Sequence, residues 1–221
     1  MSPMIRQAFS AGYSMAQHQH DGHLGAVYDA KGPAEVAALY DRWSTTYDAE
    51  MAAAGYRHPS IGLALLARHL PPGPGPVLDA GAGTGLLGDW LGIVGYAHVE
   101  GLDISQGMLD VAAAKGQYKA LHRLALGAPL PFADGYFAGV ISTGVFTTGH
   151  VGAEALPELV RITAPGGVLV FTVKMPVWDG GFAAAIVADA RLRVQEQTCP
   201  YVSMPGEVGT VPGLCVALRR V

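Results

Sequence analysis

Lysine is scarce in this chain. Four residues, Lys31, Lys115, Lys119 and Lys174, stand among 221, and the formal net charge is −4. Proteins that grip a phosphate backbone gather arginine and lysine on one face. No such cluster exists here, so nucleic acid is not expected as a substrate. Cysteine is scarcer still. Cys199 and Cys215 form neither a metal-type spacing nor a disulfide framework, and are read as two half-buried thiols in a reducing compartment. Long apolar runs are missing too. The longest, around Phe182 to Val187, falls far short of the roughly 18 residues of a membrane span and is followed by Asp189 and Arg191. The opening MSPMIRQAFSAGYSMAQHQHDGH lacks the apolar core of a signal peptide. A cytoplasmic protein with no membrane contact and no obligate protein partner is the expectation.

What the chain does have is core material: half of it is apolar and 14% is charged. That suits one α/β domain and is short for two. Residues 1–32 are polar and His-rich and read as a flexible N-terminal arm. His18, His20 and His23 within it form H-x-H-x-x-H, a spacing able to bind metal. With Asp21 as the sole nearby carboxylate, the favoured reading is solvated histidines and no metal centre. The remaining 33–221 read as a single domain, a helical lid over 33–70 and an α/β core over 71–221.

Helical periodicity begins at Pro33, a residue suited to a first turn, with Val36, Leu39, Tyr40 and Trp43 on one face. A second helix is predicted over Ser60–His69, ended by PPGPGP at 71–76. Short apolar runs then alternate with helical stretches. Strands are predicted at Val77–Ala80, Ala97–Leu102, Tyr118–Leu124, Phe137–Ser142 and Val168–Val173. Helices are predicted near Thr84–Leu91, Gln106–Ala114, Gly152–Ile162 and Gly180–Asp189. Alternation of this kind implies a parallel sheet covered on both faces. Arg191–Gln197 and Gly213–Arg219 lack a helix between them and predict an antiparallel pair at one edge. No internal repeat is visible.

The clearest site signal is VLDAGAGTGL, Val77 to Leu86. A strand runs into glycines at 81, 83 and 85, which let backbone approach a ligand because no Cβ intervenes. A helix N-terminus behind them would offer unpaired N–H groups. Asp103 lies 18 residues beyond Gly85, at the end of the next predicted strand. A carboxylate there can accept from both hydroxyls of a ribose; alternatively Asp103 or Ser105 caps the following helix. A dinucleotide fingerprint requires a small residue where Leu86 stands. Asp79 beside the loop would repel a pyrophosphate and suit a sulfonium or ammonium.

These residues resemble the class I S-adenosylmethionine-dependent methyltransferases, from Leu39 to about Lys174. Beyond VLDAGAGTGL and GLDIS, the run LPELVRITAPGGVLVF at 156–171 is similar to that family's helix, Pro-Gly-Gly turn and fifth strand. YDRWSTTYDAEM, YRHP at 56–59 and LGAPLPFADGYF resemble the Williams–Beuren-region methyltransferase-like subfamily. The resemblance implies a Rossmann-like, seven-stranded, mostly parallel sheet with an antiparallel edge hairpin, helices on both faces and a helical lid. It implies S-adenosyl-L-methionine as cofactor. Asp79, Gly81 and Gly83 would line its methionine side, Asp103 would hold the ribose, and Ile104 and Met108 would cover the adenine. Leu126 and Gly127 would offer backbone to the adenine edge. Many relatives have aspartate at the position of Leu126, and many have aspartate where this chain has Ala138.

Trp43 and Tyr47 would close over the sulfonium, and Arg57 would pair with the cofactor carboxylate. Alternatively the two rings are one helix face packed on the core and Arg57 is surface. The fourth strand ends in STGVFTTGH, Ser142 to His150, without the Asn/Asp-Pro-Pro-Tyr/Phe block of many N-methyltransferases. Thr143 would face the methyl group, and His150 is the candidate general base; a merely structural loop histidine is the alternative. The expected activity is methyl transfer to an unidentified small molecule. The alternatives are an NAD(P)-dependent oxidoreductase, disfavoured by Leu86, Asp79 and the lack of a Tyr-x-x-x-Lys pair, and a non-catalytic cofactor binder.

Overall fold

A computed structural model of the chain describes residues 22–28, 30, 32–73 and 75–221. His18, His20, Asp21, Lys31 and most of the expected arm lie outside the described residues. Within that stretch, Gly22–Tyr28 forms a helix, α1. Its Val27 is buried, in a small core with Trp43, Met51, Met108 and Met204, and His23 stacks on Trp43 with ring centroids 5.5 Å apart. One apolar side chain and one ring thus dock the end of the stretch read from composition as an arm.

The layer continues through α2 (Pro33–Trp43) and α3 (Tyr47–Ala53). Gly107, near the start of α6 (Gln106–Lys115), lets α2 approach closely, because a Cβ there would lie 3.0 Å from the Asp41 backbone. The next helix, α4 (His58–His69), belongs elsewhere than the lid expected over 33–70. Its Leu63, Leu65 and Leu66 pack with Val77, Val168, Val170 and Cys215 on one face of the sheet. A continuous apolar stripe makes it a core helix.

The sheet has seven strands in the order β3-β2-β1-β4-β5-β7-β6. They are β1 (Val77–Ala80), β2 (Val99–Asp103), β3 (Ala120–Arg123), β4 (Phe137–Phe146), β5 (Thr163–Lys174), β6 (Leu192–Gln197) and β7 (Gly213–Arg220). β1 to β5 pair in parallel, whereas β7 runs antiparallel to both β5 and β6. The mostly parallel sheet with an antiparallel edge is therefore present. Side chains alternate along β1: Leu78 and Ala80 join the core under α7 (Leu156–Ile162), while Val77 faces α4 and α5 (Gly88–Val94). Beyond β5 come two short turns, α8 (Met175–Val177) and a π-turn at Trp178–Phe182, then α9 (Ala183–Ala188). Among the described residues no helix is long and apolar enough to cross a membrane. The two thiols differ: Cys199 is exposed and Cys215 is buried in β7, where burial pushes it up to about 12.

Candidate active site

β1 ends at Ala80 and the chain turns at once, with Gly81 at φ +85. A Cβ on Gly81 would collide with Val145 of β4, so this position needs glycine both for its backbone and for the approach. The following helix starts at Gly88, four residues later than predicted. Residues between are turns, and the first three amides are already used: Gly81 and Ala82 donate to Leu102 O at 2.8 and 2.9 Å, and Gly83 donates to Asp103 Oδ2 at 2.9 Å. Those three amides are therefore not free donors, and Gly81 and Gly83 meet the cavity with backbone and no side chain.

A cavity of about 250 Å³ opens above this bend, close to the low end of roughly 300 Å³ for small-molecule sites. It lies beyond the carboxyl ends of β1, β2 and β4, where ligands of parallel sheets bind. Of the residues singled out in the sequence, Gly81, Gly83, Asp103, Ile104, Met108, Leu126, Thr143, Tyr47 and His150 line it. Asp103 is held on both oxygens, accepting from Gly83 N and from Ser105 N, each at 2.9 Å. Burial raises its pKa while these backbone bonds pull it down. Helix capping falls to Ser105 instead, whose Oγ accepts from Met108 N at 3.1 Å.

Four other expected residues do not line the cavity. Asp79 points to the opposite face of the sheet from Leu78, where its Oδ2 accepts from Tyr118 Oη at 2.8 Å. Its carboxyl is raised to about 7, with burial as the main cause, the Tyr118 hydrogen bond opposing and the Asp103 charge adding to the rise. Trp43 is buried behind the cavity, donating from Nε1 to Glu50 at 2.8 Å. Arg57 is exposed, and its backbone N–H binds Ser203 O. Gly127 stands behind Val151 and Glu154.

Tyr40, Val36, Val145 and Glu154 line the cavity without having been singled out as site residues. Tyr40 matters most, because its hydroxyl lies 3.1 Å from His150 Nε2. His150 Nδ1 lies 3.3 Å from Thr148 O, which can only accept, so Nδ1 carries the proton and Nε2 accepts from Tyr40. Burial lowers the His150 pKa and favours the neutral ring. Among the described residues no group of His, Cys, Asp and Glu is arranged to hold a metal ion.

Residues 78–171 match the family described as methyltransferase domain. Over 139 residues the chain is 38% identical to methyltransferase-like protein 27 of Homo sapiens, covering 62% of this chain and 56% of that protein. The chain thus spans a little over half the length of this relative. Two solved structures share the fold. One, described as the [4+2]-cyclase SpnF, has a TM-score of 0.68 and 15% identity, covering 86% of this chain and 97% of that one. The other, a TehB-like SAM-dependent methyltransferase from Corynebacterium glutamicum, has a TM-score of 0.61 and 20% identity, covering 83% and 99%.

Proposed function

We propose that this chain is a class I S-adenosylmethionine-dependent methyltransferase, which moves the methyl group of S-adenosyl-L-methionine to a small-molecule acceptor. One observation carries the reading. Asp103 is fixed by backbone on the wall of a cavity whose floor, at Gly81, has no room for a side chain.

The residues fit the cofactor. A carboxylate offers about four acceptor directions, so the bonds from Gly83 and Ser105 orient Asp103 without exhausting its capacity for ribose hydroxyls. Ile104, Met108 and Leu126 give an apolar surface for a purine. Asp79 and Asp103 flank the glycine bend with two acidic groups, a field that favours a cation over a pyrophosphate. Asp79 makes no direct contact there, Tyr118 standing against its carboxyl, and with its pKa raised to about 7 it leaves Asp103 as the main source of that field. The layer formed by α2 and α3, with Tyr40 and Tyr47 over the cavity, serves as the lid and excludes water.

When bound, the cofactor supplies an electrophilic methyl group open to in-line displacement. The protein's share is alignment and, for an acceptor with an acidic hydrogen, a place for the proton. Tyr40 and His150 provide that place: an acceptor proton taken at the Tyr40 oxygen is matched by transfer of the Tyr40 proton to His150 Nε2. The protein works in the cytoplasm, on neither nucleic acid nor membrane.

Titration calorimetry with S-adenosylhomocysteine and NAD, side by side, tests the assignment. S-adenosylhomocysteine binds and Asp103→Ala abolishes binding; stabilisation by NAD alone would overturn the reading. Because a cyclase shares this architecture, fold by itself does not fix the reaction. Cofactor binding without S-adenosylhomocysteine release on any acceptor would make the chain a non-catalytic binder.

A further inference from the structure

A second cavity, about 40 Å³, lies behind Tyr40 and Tyr47 and shares both rings and Gly144 with the larger one. Its walls include Trp43, Tyr56 and Phe146, and its polar side is formed by His58, Lys174 and Ser203. Lys174 ends β5 and is 6% exposed. Its Nζ donates to Ser203 Oγ at 2.9 Å and to Val211 O at 2.7 Å, both neutral oxygens. Among the described residues no ion pair joins it to a carboxylate; the lysine pair that does form is Lys115 with Asp48.

A buried ammonium with neutral partners alone is costly, several kcal/mol for the bare ion, and an apolar side chain would fill the space as well. Two of its three donors are used within the protein. The neighbouring imidazole adds no charge: burial first, and Lys174 second, lower His58 to about 3. Burial lowers Lys174 itself to about 8, which leaves it mostly protonated at neutral pH.

The surroundings are built rather than loose. The connection between β6 and β7 carries Ser203 and is fastened to the N-terminal helices. Arg57 N donates to Ser203 O at 2.8 Å, Gly206 N donates to Ala54 O at 3.0 Å, and Tyr201 Oη is 2.7 Å from His58 Nδ1. Charge is segregated between the two cavities. The larger one carries Asp103 and Glu154, and Lys174 is the sole lysine or arginine among the described residues that line either.

We propose that the second cavity anchors the methyl acceptor, with Lys174 binding a carboxylate at one end of a small molecule whose other end reaches the methyl group past Tyr40 and Tyr47. A carboxylate matches one ammonium in a small space. A phosphate, with more charge and more oxygens to satisfy, is better matched by an arginine fork or several N–H donors than by one remaining ammonium proton, and no arginine lines this cavity. The inference rests on the methyltransferase reading for its geometry, since the acidic cofactor side repels the anion and directs it to the lysine.

The probes are propionate and benzoate, each against its uncharged amide, titrated by calorimetry with and without S-adenosylhomocysteine. The acids bind and the amides do not, and Lys174→Met weakens the acids at least tenfold while leaving S-adenosylhomocysteine affinity unchanged. Lys174→Gln replaces the Met variant if that one does not fold. Amides binding as well as acids, acids indifferent to the loss of Lys174, or no acid binding would each overturn the anchor. Failure of S-adenosylhomocysteine to bind, with acids still dependent on Lys174, would sink the cofactor assignment and leave the anion site standing.

Discussion

Asp41 of α2 and Ser105 at the start of α6 are joined by a 2.5 Å hydrogen bond from Ser105 Oγ to Asp41 Oδ1, and the same oxygen accepts from Gly107 N at 2.8 Å. These two bonds, Ser105 first, hold the Asp41 carboxyl below its ordinary pKa. They fasten the helix that carries Tyr40 to the residues that follow Asp103. Asp41→Ala therefore loosens the layer over the cavity at a cost of about 1 kcal/mol in global stability. Hydrogen exchange of residues 33–53 should quicken, and S-adenosylhomocysteine should dissociate faster. Unchanged exchange there would mean that the aromatic packing alone holds the layer.

Gly81→Val places a branched side chain where φ is +85 and Val145 already stands. Such strain and overpacking cost roughly 1–3 kcal/mol. Cofactor affinity should be lost under conditions where circular dichroism shows the fold retained. A variant that folds and binds normally would refute the cradle.

Asp79 gives a pH signature. Its carboxyl is raised by burial from an ordinary 3.8 to about 7, so between those values the folded chain holds a proton that the unfolded chain has released. The stability linked to this group is complete below about pH 4 and is lost as pH rises through 7. Asp79→Asn, which keeps an acceptor for Tyr118, should match the parent near pH 4 and exceed it at pH 8, by at most about 4 kcal/mol. Urea titrations at the two pH values decide this. A variant less stable at pH 8 would show that the carboxylate is compensated.

His150 should titrate below the ordinary 6.5, because burial disfavours its charged ring. Following its ring protons by NMR measures this without knowledge of the acceptor. Once an acceptor with an acidic hydrogen is in hand, Tyr40→Phe and His150→Ala should each lower kcat by roughly 10²–10⁴. The two losses should not add, since both residues serve one proton path. Additive losses would separate their roles.

Much of the frame was legible. Strand β1 falls on Val77–Ala80 as predicted, and β6 and β7 differ from the prediction by one residue at one end each. β1 and β7 are short, largely apolar and bounded by turn residues, so local pattern suffices, and the mostly polar β6 was legible from its pairing with β7 without a helix between them. α5 begins later than predicted because the amides of residues 81–83 are tied to the end of β2, a partner some twenty residues away. The helix Tyr47–Ala53 was missed, its single buried residue, Met51, being too weak a periodic signal. Asp79 is instructive, since alternation along β1 places it on the face opposite Leu78 and Ala80. That cue lies in the sequence beside the family resemblance that pointed the residue at the cofactor. Tyr40 and Lys174 were out of reach, because what gives each its setting, His150 and the Ser203 segment, comes from far along the chain.

The Ser203 segment has a consequence for how this protein diversifies. The larger cavity is lined by residues between Gly32 and Glu154 and takes none from the connection between β6 and β7, whereas that connection closes the small lysine-bearing chamber with Ser203 and Met204. Insertions or replacements between β6 and β7 therefore retune what is accepted without touching how the donor is gripped. A library confined to positions 198–212 should yield folded proteins of altered appetite and constant donor affinity.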